Sequence, residues 1–189
     1  MKTTSIMIVG VGGQGTLLAS KLLGNVLLKQ GYDVKLSEVH GMSQRGGSVV
    51  TYVRYGDKVY SPVVDLGEAD FILSFELLES ARWIGYLKEG GTLVTNTHQT
   101  PPMPVITGAA SYPEDIARKL SEKASVVALD ALPLAEQAGS AKAVNMVLIG
   151  VLSKRMPFEA GVWLKAIEET VPPKFVEMNK KAFLLGRNA

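Results

Sequence analysis

The spacing of apolar residues changes period several times along the chain, and each change marks an element. Ser5 to Val9 is a short apolar run of the kind a strand buried on both faces shows. It leads into Gly10-Val11-Gly12-Gly13-Gln14-Gly15. From Thr16 to Gln30 the polar residues Lys21, Asn25 and Lys29 fall at every fourth position. That spacing predicts a helix with one narrow polar stripe, covered on more than one side, and Gly31 is a natural stop. Asp33 to Glu38 reads as a second strand. Strand, glycine-rich turn, helix and strand make a βαβ unit, which implies two parallel strands. Val49, Thr51, Val53 and Tyr55 then alternate within Ser48 to Tyr55. Gly56-Asp57 and Lys58 to Ser61 follow, the pattern of a hairpin. The sheet is therefore expected to be mixed.

Further on, Phe71 to Phe75 and Thr92 to Asn96 read as strands, with a helix over Glu76 to Tyr86 between them. Thr100-Pro101-Pro102-Met103-Pro104 reads as a stiff extended loop, either a recognition arm or a simple surface crossing. Pro113 to Lys123 fits a helix with proline in its first turn. Ser125 to Leu129 fits a strand, and Pro133 to Gln137 a short helix. The last third is helical: Ala143 to Lys154, Phe158 to Thr170 and Phe175 to Leu185, with Val171-Pro172-Pro173 separating the last two. The run Phe175, Met178, Phe183 and Leu184 suits core packing or a subunit contact. No repeat or linker interrupts the chain, so residues 1–189 are expected to form one α/β domain with a helical C-terminal part.

Composition narrows the function. At 189 residues and 47% hydrophobic, the chain can bury one sizeable core. Net charge is +2 with Lys and Arg scattered, so no basic stripe marks a nucleic-acid partner. There is no cysteine, which excludes disulfides, iron–sulfur clusters and thiolate zinc sites held by this chain. No signal peptide and no membrane-spanning apolar run is evident, so a cytoplasmic location is expected.

Two segments carry candidate chemistry. Gly10, Gly12 and Gly15 satisfy G-x-G-x-x-G between a strand and a helix. Such glycines allow a tight turn and close backbone approach, and the helix N-terminus can hold an anion. Glu38 ends the second strand, about where a ribose-binding acid would stand. The same glycines can equally serve the turn alone. The second segment is His40-Gly41-Met42-Ser43-Gln44-Arg45-Gly46-Gly47, at the same expected sheet edge, where open α/β sheets bind ligands. Arg45 beside Gln44 could form a fork for carboxylate or phosphate, with hydroxyls from Ser43 and Ser48. A functional loop is the favoured reading, because eight polar and glycine residues are longer than most connections need; a flexible loop or a docking surface is the alternative. His40 and His98 are the only histidines and make no metal-ligand spacing, and no nucleophile–base pattern is present.

Taken together, Gly10 to Gly15, Glu38 to Val49, Asn145-Met146-Val147-Leu148-Ile149-Gly150 and Pro173 to Asn179 resemble the gamma domain of 2-oxoacid:ferredoxin oxidoreductases. Within that family the wording is most similar to the beta subunits of indolepyruvate:ferredoxin oxidoreductases. The resemblance implies a three-layer α/β/α sandwich. It implies a complex that turns an aryl 2-oxoacid, coenzyme A and oxidised ferredoxin into acyl-CoA, CO2 and reduced ferredoxin. Thiamine diphosphate, magnesium and iron–sulfur clusters would belong to the partner subunit, which would also meet ferredoxin. The chain itself would hold none of these cofactors and would not be active alone. Gly56-Asp57 lacks the Asn that a thiamine-diphosphate motif needs downstream. Arg45 and its neighbours Ser43, Gln44, Gly46 and Gly47 would border the coenzyme A or active-site cavity; Gly10, Gly12, Gly13, Gln14, Gly15 and Glu38 are the other candidate cofactor-binding residues, and no catalytic residue is assigned. Two other readings stay open: an independent NAD(P)-binding Rossmann-like oxidoreductase, and a regulatory or scaffolding module. Within the family, pyruvate, 2-oxoglutarate or a branched-chain oxoacid could replace indolepyruvate.

Overall fold

The computed structural model describes residues 3–38 and 46–189. Six strands form one sheet in the order β2-β3-β1-β4-β5-β6. They are β1 (Thr4–Val11), β2 (Asp33–Glu38), β3 (Ser48–Gly56), β4 (Ala69–Ser74), β5 (Leu87–Asn96) and β6 (Ser125–Leu129). β1, β4, β5 and β6 are parallel neighbours. β3 runs antiparallel to both β1 and β2, so the sheet is mixed as expected. β1 and β2 do point the same way, yet β3 lies between them.

That insertion also removes the expected hairpin. Both edges of β3 are taken, by β1 in the register Val11↔Ser48 and by β2 in the register Glu38↔Thr51. Residues 58–61 have no edge left to pair with and form no strand. Instead the Val59 N–H donates to Asp33 Oδ2 at 2.8 Å, and Arg54 Nη1 donates to the Val63 carbonyl at 2.7 Å. The segment between β3 and β4 is thus strapped across one sheet face.

Helices cover the two faces unequally. One face carries α1 (Thr16–Lys29), α5 (Leu132–Ala138), α6 (Val144–Ser153), α7 (Ala160–Thr170) and α8 (Val176–Asn188). Ile6, Ile8, Val53, Leu73 and Val94 of the sheet meet Leu22, Leu23, Leu27, Met146 and Trp163 there. The other face carries α2 (Leu77–Trp83) and α4 (Ile116–Ser121), packed on Met7, Val9, Ile72 and Leu93. The three-layer α/β/α arrangement follows from β-strands with apolar residues on both faces.

Three local departures have physical causes. Residues 103–106 close one turn of helix, α3 (Met103–Ile106), with Pro102 as its N-cap residue, where the sequence reads as extended. α4 starts three residues after Pro113, because Asp115 takes a left-handed conformation at φ 56°. In the final helices Phe183 is fully buried, while Phe175 and Leu184 are 43% and 37% exposed, so that apolar run is only partly core.

Candidate functional site

The carboxyl ends of β1, β4, β5 and β6 meet at one edge of the sheet. α1 leaves β1 toward one face and α2 leaves β4 toward the other. The crevice between β1 and β4 is therefore a topological switch point, where open α/β sheets take ligands. A cavity of about 600 Å³ opens there. Gly13, Gln14 and Gly15 form one wall, with Phe75 after β4, Asn96 and His98 at the end of β5, and Leu132 at the start of α5. Ala141, Lys142 and Val144 lead into α6 and complete it.

The first glycine-rich turn is held by its own side chain. Gln14 Oε1 accepts the Val11 N–H at 2.8 Å, and the Gln14 N–H donates to the Val11 carbonyl at 3.2 Å. A Cβ on Gly10 would lie 2.8 Å from that Oε1 and 3.2 Å from Phe75 Cβ, so this glycine is required by close approach. Gly15 is the N-cap residue of α1 at φ 87°, a left-handed conformation that glycine adopts freely. A Cβ there would stand 2.6 Å from Asn145 Nδ2 of α6. Asn145 bridges the elements: its Nδ2 donates to the Gly15 carbonyl at 3.4 Å, and its Oδ1 accepts the Met146 N–H at 2.9 Å. The third glycine thus serves the contact between α1 and α6 rather than the strand–helix packing of a dinucleotide fingerprint.

The second glycine-rich segment reaches the same edge through its described end. The Gly12 N–H donates to the Gly47 carbonyl at 2.9 Å, joining the two segments. Gly46 is exposed at φ 86°. Ser43, Gln44 and Arg45, with His40, lie outside the described residues. Glu38 takes a different position from the one a ribose-binding acid needs. With β3 interposed, β2 stands roughly 10 Å from β1 rather than about 5 Å. The Glu38 Oε1 accepts the Ser20 hydroxyl of α1 at 2.5 Å. Of the residues the sequence marks, Gly13, Gln14 and Gly15 line the cavity, Gly10 and Gly12 support it, and Glu38, Gly46 and Gly47 lie on the β3 side of β1.

The structure adds residues that the sequence did not single out. Asn96 is 3% exposed; its Oδ1 accepts the Ala131 N–H at 3.2 Å. Lys142 stands exposed on the rim, and α1 and α6 both begin at the cavity wall without a side-chain cap. Backbone N–H groups, an amide and an ammonium suit an anionic group, while Phe75, Leu132 and Val144 offer apolar contact. Glu76, next to Phe75 and 1% exposed, ties the segment after β5 to the start of α2. Its Oε1 accepts the Thr100 N–H at 3.0 Å and the Tyr112 hydroxyl at 2.6 Å; its Oε2 accepts the Glu79 N–H at 2.8 Å, capping α2. Burial, and then the hydrogen bond to Glu76, push the Tyr112 phenol well above its ordinary value near 10. The Leu77 N–H donates to the His98 carbonyl, fixing the segment that bears His98. Position at the end of a parallel strand was the signal for Asn96; nothing local marked Glu76.

Among the described residues no group of three His, Cys, Asp or Glu side chains could hold a metal ion. Gly56 ends β3 at the end of the strands away from the cavity. No helix among the described residues is long and apolar enough to cross a membrane.

Comparison with known proteins agrees with this architecture. The family described as pyruvate ferredoxin/flavodoxin oxidoreductase matches residues 5–189. The indolepyruvate oxidoreductase subunit IorB of Pyrococcus horikoshii is 49% identical, covering 100% of this chain and 96% of that protein. The common gamma subunit of the pyruvate/ketoisovalerate oxidoreductases of Thermococcus litoralis is 27% identical over 95% of this chain and 91% of that one. Among solved structures, pyruvate oxidoreductase subunit PORC of Thermotoga maritima superimposes with a TM-score of 0.76 at 22% identity, covering 100% of this chain and 97% of that chain. The 2-oxoglutarate:ferredoxin oxidoreductase of Magnetococcus marinus does so at 0.76 and 18% identity, with all of this chain matching 31% of that chain. With a family match over nearly its whole length and a full-length relative at 49% identity, this chain belongs to the pyruvate ferredoxin/flavodoxin oxidoreductase family.

Proposed function

We propose that this chain is the cluster-free subunit of an indolepyruvate:ferredoxin oxidoreductase. The observation that carries the substrate is the contrast in identity: 49% to an indolepyruvate oxidoreductase subunit, against 27% to a gamma subunit shared by pyruvate and ketoisovalerate enzymes. In this reading thiamine diphosphate, magnesium and the iron–sulfur clusters sit in the partner subunit, which passes electrons to ferredoxin. An aryl 2-oxoacid loses CO2 there, and its acyl group is transferred to coenzyme A. We assign the complex to the cytoplasm.

This chain's part is to border the coenzyme A. The cavity at the switch point offers Lys142, the amide of Asn96 and the start of α1 for an anionic group. Gly10, Gly12, Gly46 and Gly47 keep the neighbouring backbone close to the same edge, with Ser43, Gln44 and Arg45 assigned to it from the sequence. Lys142→Ala is expected to raise the KM for coenzyme A about tenfold, the effect of losing one charge-assisted contact of about 1.5 kcal/mol. The kcat should stay unchanged.

The test is to purify the chain with its partner and follow ferredoxin reduction with indolepyruvate, pyruvate and 2-ketoisovalerate in turn. Preference for indolepyruvate supports the reading. Preference for either of the others keeps the family and removes the substrate. A partnerless chain that binds NADH would favour the dinucleotide alternative, against which Gln14 over Gly10 and the displaced Glu38 already stand.

A further inference from the structure

The polar side chains around the cavity at the switch point share one polarity. Gln14 and Asn96 both line it. Each carries a primary amide, whose oxygen accepts and whose NH2 donates. In each the oxygen is already engaged by a backbone N–H. Gln14 Oε1 accepts from Val11 at 2.8 Å, and Asn96 Oδ1 accepts from Ala131 at 3.2 Å. A planar amide held by its oxygen presents its NH2 elsewhere, so these bonds decide which way each amide faces. Gln14 Nε2 and Asn96 Nδ2 have no hydrogen-bond partner among the described residues. Asn96 is 3% exposed, and a free donor on so buried a side chain is costly unless something in the cavity accepts from it.

Two further donors reach the same space. Lys142 brings an ammonium. His98 brings an imidazole on a backbone that is held at three points. The Thr97 N–H donates to the Leu129 carbonyl, the Leu77 N–H to the His98 carbonyl, and the Thr100 N–H to Glu76 Oε1. A lining of donors fits a group made of acceptors, and a phosphate ester is such a group, bound through charge-assisted hydrogen bonds. A thiol, weak both as donor and as acceptor, gains little from it. Coenzyme A has phosphates at its nucleotide end and a thiol at the other. On the reading of this chain as bordering coenzyme A, we infer that Gln14 and Asn96 donate to a phosphate of that molecule. Its nucleotide end then occupies this cavity, and its thiol end is directed out toward the partner subunit.

The experiment replaces one amide at a time in the purified complex of chain and partner. Gln14→Glu and Asn96→Asp keep the oxygen that the backbone N–H needs and turn the NH2 into an anionic acceptor. Ferredoxin reduction gives the KM for coenzyme A, the KM for the 2-oxoacid and the inhibition constant of ADP. ADP shares the adenosine diphosphate part of coenzyme A and has no thiol. The expected result is a rise of about tenfold or more in the KM for coenzyme A and in the ADP constant for each variant. The kcat should change less than the KM, and the KM for the oxoacid should keep its wild-type value, which a merely structural defect would move. Folded variants with unchanged coenzyme A and ADP constants would overturn the inference. So would a change in one of these two constants without the other, or ADP that does not compete with coenzyme A in the wild type. Should both variants fail to fold, Lys142→Ala on the exposed rim is read by the same constants. A wild-type complex whose ferredoxin reduction does not depend on coenzyme A would overturn the functional reading, and the inference with it.

Discussion

Tyr112 is one of the ties between the segment after β5 and the body of the protein, and its chemistry makes that tie sensitive to alkali. The phenol donates to Glu76, and its proton is held well above the ordinary value near 10. A raised value means that the folded state favours the protonated form. The stabilisation is complete below about pH 10, the value for the unfolded chain, and is lost as pH rises through the higher folded value. Tyr112→Phe should lose about 1 kcal/mol at neutral pH and show a shallower fall in stability above pH 10 than wild type, as measured by denaturant melts across that range. Tyr52 and Tyr55 also titrate high, so the difference between the two proteins is the informative quantity. At this scale the sequence marked Gly10 and Gly15 well, because turns and close approaches demand glycine. It could not mark Glu76, whose partners Thr100 and Tyr112 are 24 and 36 residues away.

Element by element, α6 and α8 are joined by an approach that only glycine permits. A Cβ on Gly150 would fall on the Phe183 carbonyl, and one on Gly186 on the Val147 carbonyl. Both obstacles are backbone and cannot rotate away. Gly150→Ala and Gly186→Ala should each destabilise by about 2–3 kcal/mol, measured as a lower denaturation midpoint with an unchanged slope. Gly161, in α7 with open space around it, should tolerate Ala. The helices themselves were legible from apolar spacing, since α6, α7 and α8 fall within a few residues of the expected ranges. The strand pairing was less legible. Gly56-Asp57 has good turn chemistry, but pairing depends on a free edge, and whether β3 has one is decided by β1 and β2. For the same reason the βαβ pattern gave the direction of β2 and not its neighbour.

Across the whole molecule the two helical layers differ in thickness. α1, α6, α7 and α8 surround Trp163 and Phe183, whereas α2 and α4 cover the other face with seven and six residues. Local opening follows buried apolar contact, so amides of α2 and α4 should exchange faster than those of α6 and α8, as exchange mass spectrometry of the free chain would show. The Gly12 to Gly47 hydrogen bond joins the two glycine-rich segments at the carboxyl edge of β1, and that meeting was legible in the sequence. The cavity was not, because Asn96, Lys142 and Val144 reach it from separate elements. Solvent composition acts unevenly on such a body. Exposed pairs such as Arg118–Glu122, with side chains 63% and 60% exposed, weaken as salt shortens the screening length to about 8 Å at 0.15 M. Glu76 is 1% exposed and makes no ion pair among the described residues; its partners are neutral N–H and O–H groups, which salt screens little. The segment after β5 should therefore hold its place in dilute buffer and in concentrated brine alike.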